Sequence, residues 1–365
     1  MSRTVPLALT LLAAVGCSRT EPPPVPPVTA DPAPVVVPPA DDGSIPPPRP
    51  VSVRSRGQAL ALGVDYLLAR QSQDGAWRSD VYATFKDGTA LTPLVVVALQ
   101  EAHDAGVRTA DVEAAIRKGC AVLAPFAKGD TVTPPADGFD YPLYTAALTL
   151  KAFCHPTAKD FAGHRTAWVK YLKDRQLTEK LGWKPDEKQY GGWGYCRVIP
   201  KKPEPNTLGP TLIESNLSAT VFALDALKAA GAADADLIKG AAIFVRRCQN
   251  ADGGFHFIYD DPTRNKAGPA AGAPGVFSSY GSTTADGFRA LALCDDPADR
   301  DRRAAAGGWL LANGRTDRHP GAYVKSQEPY RDAVYFYYLA SAARAERDHG
   351  WVVSYGRSWV AELSY

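Results

Sequence analysis

Gln71-Ser72-Gln73-Asp74-Gly75-Ala76-Trp77 separates two helical segments of opposite character, and the contrast between them sets the architecture. Before it, Leu60, Val64, Leu67 and Leu68 recur at helical spacing with a polar flank, the pattern of a helix that buries one side. After it, Thr92-Pro93 opens a second helix, because threonine can cap free amides and proline suits the first helical position. Leu94, Val95, Val96, Val97, Ala98 and Leu99 then leave almost no polar face, so this second helix must be covered on most sides.

The same grammar returns downstream. Lys239-Gly240 leads through Phe244 to Gln249-Asn250-Ala251-Asp252-Gly253-Gly254-Phe255 and a helix over 282–293. Trp168, Tyr171 and Leu172 precede Tyr190-Gly191-Gly192-Trp193-Gly194-Tyr195, followed by a helix over 216–230 with Gly231 as its stop signal. Two weaker copies run from Val112 through Asp137-Gly138-Phe139 to a helix over 144–153, and from Arg302 through Pro320-Gly321-Ala322-Tyr323 to a helix over 330–344. Half-buried helices alternating with nearly all-apolar ones predict an all-α fold of two concentric layers, a single α/α toroid over 57–365 of five to six hairpins. A last helix over 351–363 has no turn or inner helix after it, which leaves open whether the ring closes.

Gln71–Trp77 and Gln249–Phe255, each behind an apolar helix, resemble the QW repeats of squalene-hopene cyclases and protein prenyltransferase β-subunits. The resemblance implies that Gln71, Gly75, Trp77, Gln249, Gly253 and Phe255 are structural and tie each turn to the next helix. Glu214-Ser215-Asn216, Ser279-Tyr280-Gly281-Ser282-Thr283 and Tyr335-Phe336-Tyr337-Tyr338 look like the bacterial proteins known only as prenyltransferase or squalene-oxidase repeat proteins, whose activity is generally unassigned.

The chemistry of the catalytic relatives is not written here. Class II cyclases protonate an alkene with an Asp-x-Asp-Asp motif, and the nearest strings, Asp234-Ala235-Asp236 and Asp295-Asp296-Pro297-Ala298-Asp299, read as acids at helix N-termini. Protein prenyltransferases hold zinc with an aspartate, a cysteine and a histidine; Cys294-Asp295 has the wrong order, and Tyr335 or Phe336 stands where the family places its histidine. The six histidines show no metal-ligand spacing, and a lone one such as His256 beside a turn reads as partly exposed, so neither metal nor cofactor is expected. The Gly-Cys-Gly-Glu-Gln motif of toroidal thioester proteins is absent too.

What remains are acids near inner-helix starts, Glu214, Asp286 and Asp332, with the aromatics Trp193, Tyr195, Tyr280, Tyr335 and Phe336 as candidate cavity lining. Two readings follow. One is a binding protein that takes an apolar ligand or a protein partner in its central cavity. The other is a non-standard enzyme acting on isoprenoids, or on a polysaccharide through paired carboxylates. Nucleic acid is an unsuitable partner, because 41 basic and 39 acidic residues are interspersed and offer no basic face.

The N-terminus has its own logic. Arg3 precedes an apolar run from Val5 to Val15, too short to span a bilayer, and Ala14-Val15-Gly16-Cys17 follows the order of a secretory signal. Cys17 after small residues resembles the lipobox of bacterial lipoproteins, which implies cleavage after residue 16, acylation of Cys17 and an extracytoplasmic, periplasmic or outer-membrane-associated location. Residues 18–56 are dominated by proline, including Pro22-Pro23-Pro24 and Pro46-Pro47-Pro48. As polyproline II at about 3.1 Å per residue, some thirty residues reach roughly 90 Å, a tether that holds the ring off a membrane. Apart from Cys17, five cysteines remain; Cys196 and Cys248 flank successive turns and are a candidate disulfide, with buried thiols as the alternative. Cys17→Ser is expected to move the protein from washed membranes to the soluble fraction, and an unchanged distribution on fractionation rejects the anchor.

Overall fold

The computed structural model describes residues 55–349 apart from 82–84, 260 and 274; the signal, Cys17, the tether and the helix expected over 351–363 lie outside the described residues. Five helices form the outer layer: α1 (Arg56–Leu68), α3 (Ala110–Leu123), α5 (Arg165–Lys173), α7 (Ala235–Arg247) and α9 (Arg300–Asn313). The inner layer is α2 (Leu91–Asp104), α4 (Pro142–Cys154), α6 (Leu217–Ala229), α8 (Gly281–Cys294) and α11 (Tyr335–His349), with the short α10 (Pro329–Ala333) leading into the last. Successive inner helices pack on one another, and α3, α5 and α7 each lie between two of them. The protein is an all-α toroid of five hairpins among the described residues, and none of its described helices is long and apolar enough to cross a membrane.

Burial follows the two characters read from the sequence. Eleven residues of α4, including Leu143, Leu148, Leu150 and Phe153, are buried, whereas α7 buries Leu237, Gly240, Ala241, Ala242, Phe244 and Val245 and exposes its other face. Three of the outer helices carry side-chain caps: Ser55 forms a capping box with Gln58, and Thr109 and Asp234 accept from Val112 and Leu237 amides. Asp234 is therefore a cap, and Asp296 and Asp299 pair with Arg246 at 2.6 and 2.7 Å.

Three repeats share one stitch. Gln71 Nε2 donates to Gly75 O in its own turn and to Ala115 O in the next outer helix, both at 2.9 Å. Gln249 Nε2 does the same to Gly253 O (3.0 Å) and Arg302 O (2.8 Å), and Gln176 Nε2 to Gly191 O and Leu237 O at 2.9 Å. A second stitch runs inward: the backbone amides of Trp77, Trp193 and Phe255 donate to Thr92, Thr220 and Thr284 Oγ1 at 3.0–3.2 Å. Thr92 is thus not a cap, as its Thr-Pro context suggests; α2 starts without a side-chain cap and Thr92 serves the turn. The turn glycine is demanded twice at Gly191. Its φ of +89° disfavours a side chain, and a Cβ there would sit 1.9 Å from Gly240 O of α7.

The weak second copy lacks the stitch. No glutamine lies between α3 and Phe139, and buried Thr145 Oγ1 has no hydrogen-bond partner. The ring meets itself where Arg344 and Arg347 of α11 approach Glu101 of α2 at 3.3 and 3.4 Å, but these two helices do not share a packed face as other inner neighbours do. All five described cysteines are free, which corrects the Cys196–Cys248 pairing; burial pushes the Cys120 and Cys294 thiols up to about 12, where they are inert.

Gln176→Leu leaves the buried Gly191 and Leu237 carbonyls without their partner, an expected loss of about 2 kcal/mol or more in a urea unfolding titration with an unchanged m-value.

Candidate functional site

The axis of a toroid is where its inner helices can bring side chains together, and here they meet on one carboxylate. Asp286 of α8 has no solvent exposure. Its Oδ2 accepts hydrogen bonds from Ser218 of α6 (3.0 Å) and Tyr337 of α11 (2.7 Å), its Oδ1 accepts from Ser341, and Arg289 lies 3.5 Å away one turn on. Three helices thereby converge on a group that could not be buried alone. Tyr144 and Tyr195 share a 2.7 Å hydrogen bond beside this centre. Burial pushes the phenols of Tyr144, Tyr195 and Tyr337 well above the usual tyrosine range, so all three stay protonated donors.

A charged layer follows toward the C-terminal ends of the inner helices. Lys151 of α4 pairs with Asp225 of α6 at 2.6 Å, and Arg289 stands 3.5 Å from the same oxygen. Burial pushes Asp225 up, but Lys151 and Arg289 outweigh it and hold the carboxyl below its usual range. Among the described residues these groups crowd the axis. The space left beside Asp225, Arg289 and Arg344 is about 10 Å³, and the space near Tyr144, Ser218, Lys266 and Tyr337 about 20 Å³, room for one water. Lys266 is buried there with its ammonium 4.4 Å over the Tyr330 ring, and desolvation pushes it down to about 8.

The sequence candidates disperse. Asp286 is at the centre, Glu214 pairs with Arg264 at 3.0 Å, and Asp332 is exposed on α10. These surroundings do not form a carboxylate pair across an open cleft. Among the aromatics, Trp193 is fully buried with Nε1 donating to Leu172 O (2.8 Å), a packing role like that of Trp77. Tyr195 does reach the axis through Tyr144, and Tyr280 lines the small space at the N-terminal end. Tyr335 donates to Thr316 O, and Phe336 is 80% exposed on the surface. Both corrections have one cause: the backbone breaks at Val334 (φ −113°, ψ 17°), and α11 turns Tyr337 and Tyr338 inward instead.

His256 is buried rather than partly exposed, with Nδ1 3.1 Å from Asn250 Oδ1. His319 is fully buried among the rings of Tyr280, Tyr323 and Tyr338, and its Nε2 accepts from the Ser282 amide at 2.8 Å. That bond supplies the cap that Tyr280 cannot give α8.

At the opposite end lies a cleft of about 560 Å³ whose walls include Gln100, Glu101, Asp104, Lys151, His155 and Arg347. At its edge His103 and Asp104, in the last turn of α2, meet His155, the residue after α4, with one ligand-type atom of each within 4.8 Å of the others. Sequence spacing could not reveal this cluster, since Asp104 and His155 are 51 positions apart.

The sequence matches no protein-family model, and no curated protein matches it significantly. Among solved structures the chain is similar to the type II terpene cyclase MstE from Scytonema. Two variants of that enzyme in complex with geranylgeranyl dihydroxybenzoate align at 14% and 15% identity with a TM-score of 0.47, covering 82% of this chain and 78% and 79% of theirs. The apo enzyme aligns at 15% identity and a TM-score of 0.38 over 72% of this chain and 80% of its own.

Burial, with Arg331 adding to it, pushes His319 down to about 3, and burial pushes His256 down to about 4, so the fold prefers both neutral while the unfolded chain titrates near 6.5. Their stabilisation is complete above pH 6.5 and lost as pH falls toward 4 and then 3. The thermal midpoint is expected to drop over that window, and His319→Gln, which keeps an acceptor for Ser282 N–H, to flatten the drop when midpoints are measured from pH 7 to 4.

Proposed function

We propose that this protein is an extracytoplasmic, lipid-tethered scaffold, a rigid helical ring that works by binding a protein partner on its outside surfaces and performs no chemistry at its centre. The observation that carries this reading is the polar knot that the described residues place on the axis. Asp286, hydrogen-bonded to Ser218, Tyr337 and Ser341 from two other inner helices, stands where an apolar ligand or an isoprenoid substrate would need a cavity. A prenyl chain would have to displace those bonds and leave a carboxylate facing hydrocarbon, at a cost of several kcal/mol. Both oxygens of the carboxyl group are already engaged by donors, and Arg289 lies 3.5 Å from Oδ1.

Tethering rests on the order of charged residue, apolar run, small residues, Cys17 and proline arm. The arm's length gives the ring freedom to meet partners away from the bilayer surface. Membrane contact through the lipid and protein contact through the ring are then separate functions of separate segments.

The purified protein is expected to turn over neither squalene nor a prenyl diphosphate and to show no saturable binding of a fluorescent fatty-chain or isoprenoid probe. Phe336→Lys is expected to leave the fold's stability within about 0.5 kcal/mol, as for an exposed position. Turnover that disappears in Asp286→Asn, or a retained apolar ligand seen by native mass spectrometry of protein from its own membrane, would reject the scaffold reading.

A further inference from the structure

We propose that His103, Asp104 and His155 form a binding site for one divalent transition cation of the zinc class, completed by water from the adjoining cleft. Two imidazoles and one carboxylate are a recurrent ligand set for zinc that leaves a fourth position open. His155 Nε2 lies 3.1 Å from Asp104 Oδ1, and His103 Nδ1 lies 3.7 Å from the same oxygen. Ligand atoms at the corners of a tetrahedron with bonds of roughly 2.0–2.1 Å are about 3.3 Å apart, so both edges are within small side-chain movements of that geometry.

An independent sign is His103 Nδ1 itself. It is buried with no hydrogen-bond partner, although a buried ring nitrogen ordinarily finds one. A cation shared with Asp104 and His155 satisfies it. The outer nitrogen, His103 Nε2, faces Glu113 Oε1 at 3.7 Å, the kind of carboxylate that orients a ligating imidazole.

His155 is provided for in both of its neutral tautomers. With Nε2 protonated it donates to Asp104, and Nδ1 accepts from the Thr157 amide at 3.2 Å. With Nδ1 protonated it donates to Thr157 Oγ1 at 2.8 Å, a hydroxyl also held by Gln100 Nε2 (3.2 Å), and Nε2 is free to ligate. Metal binding therefore needs only a tautomer change. The surroundings suit a cation as well. The site sits at the C-terminal end of α2, the negative end of the helix dipole, and the nearby Arg344 and Arg347 are engaged by Glu101. Asp104 and His155 also line the cleft, so the open coordination position looks onto space large enough for water or a small polar ligand.

The test is titration of the chelator-stripped, full-length protein in detergent with zinc alone by calorimetry, and with cobalt(II) for its visible ligand-field bands. One ion per chain is expected, with a tetrahedral cobalt spectrum. His155→Ala and Asp104→Asn should each weaken binding tenfold or more, while His164→Gln, at a histidine bonded to Ala127 O, should leave it unchanged. Asp104 is exposed, so its asparagine variant keeps the fold and isolates the ligand's contribution. Absence of zinc binding to the wild type, or affinity within twofold of wild type in both variants, overturns the site.

Discussion

A glutamine side-chain amide has two protons, and in three repeats of this ring both are used on carbonyls that belong to different hairpins. That single group fixes the turn's shape and, in the same act, the angle at which the next outer helix docks. The turn glycine makes the approach possible, since a Cβ at Gly75, Gly191 or Gly253 would collide with the backbone of that helix. The threonines at 92, 220 and 284 then draw the turn's aromatic residue onto the inner layer. Curvature is therefore set by hydrogen bonds of fixed length, and the apolar core fills the space those bonds define.

This division explains what could be read beforehand. The layers and five of the hairpins follow from local spacing, whereas the structural roles of Gln71, Gly75, Trp77, Gln249, Gly253 and Phe255 were implied by the resemblance of their turns to a known repeat; Gln71 and Gln249 each bond within their own turn. Gln176 escaped notice because thirteen residues separate it from the start of its Tyr190-Gly191 turn, so the motif survives in space but not in spacing. Tyr335 and Phe336 were misassigned for another reason. A run of four aromatics has no polar flank to give its helical phase, and the break at Val334 decides which of them turn inward.

The centre was the least legible region. Its content, an aspartate at 286 on an apolar helix, is visible in the sequence, but its meaning depends on Ser218 and Tyr337, which lie 68 and 51 positions away. A carboxylate in such a place can be a reactive acid or the knot of a polar core, and only its partners distinguish the two. Here every oxygen is occupied by donors from neighbouring inner helices, which ties α6, α8 and α11 in register. Buried networks of this kind favour one arrangement of helices over its alternatives more than they add stability.

The meeting of α11 with α2 has a mechanical consequence. Glu101 with Arg344 and Arg347 is a partly solvated ion pair, a contact worth on the order of 0–1 kcal/mol, while the other inner helices hold each other along packed faces. Among the described residues the ring has the form of a split washer. The chain enters at α1, which leans on α2 and α3 beside the split, so tension arriving from the N-terminal side pulls on one lip. An ion pair at the split is weakened by salt, whereas separating the first, third and fourth hairpins from the outer helix that follows each requires a glutamine stitch to break.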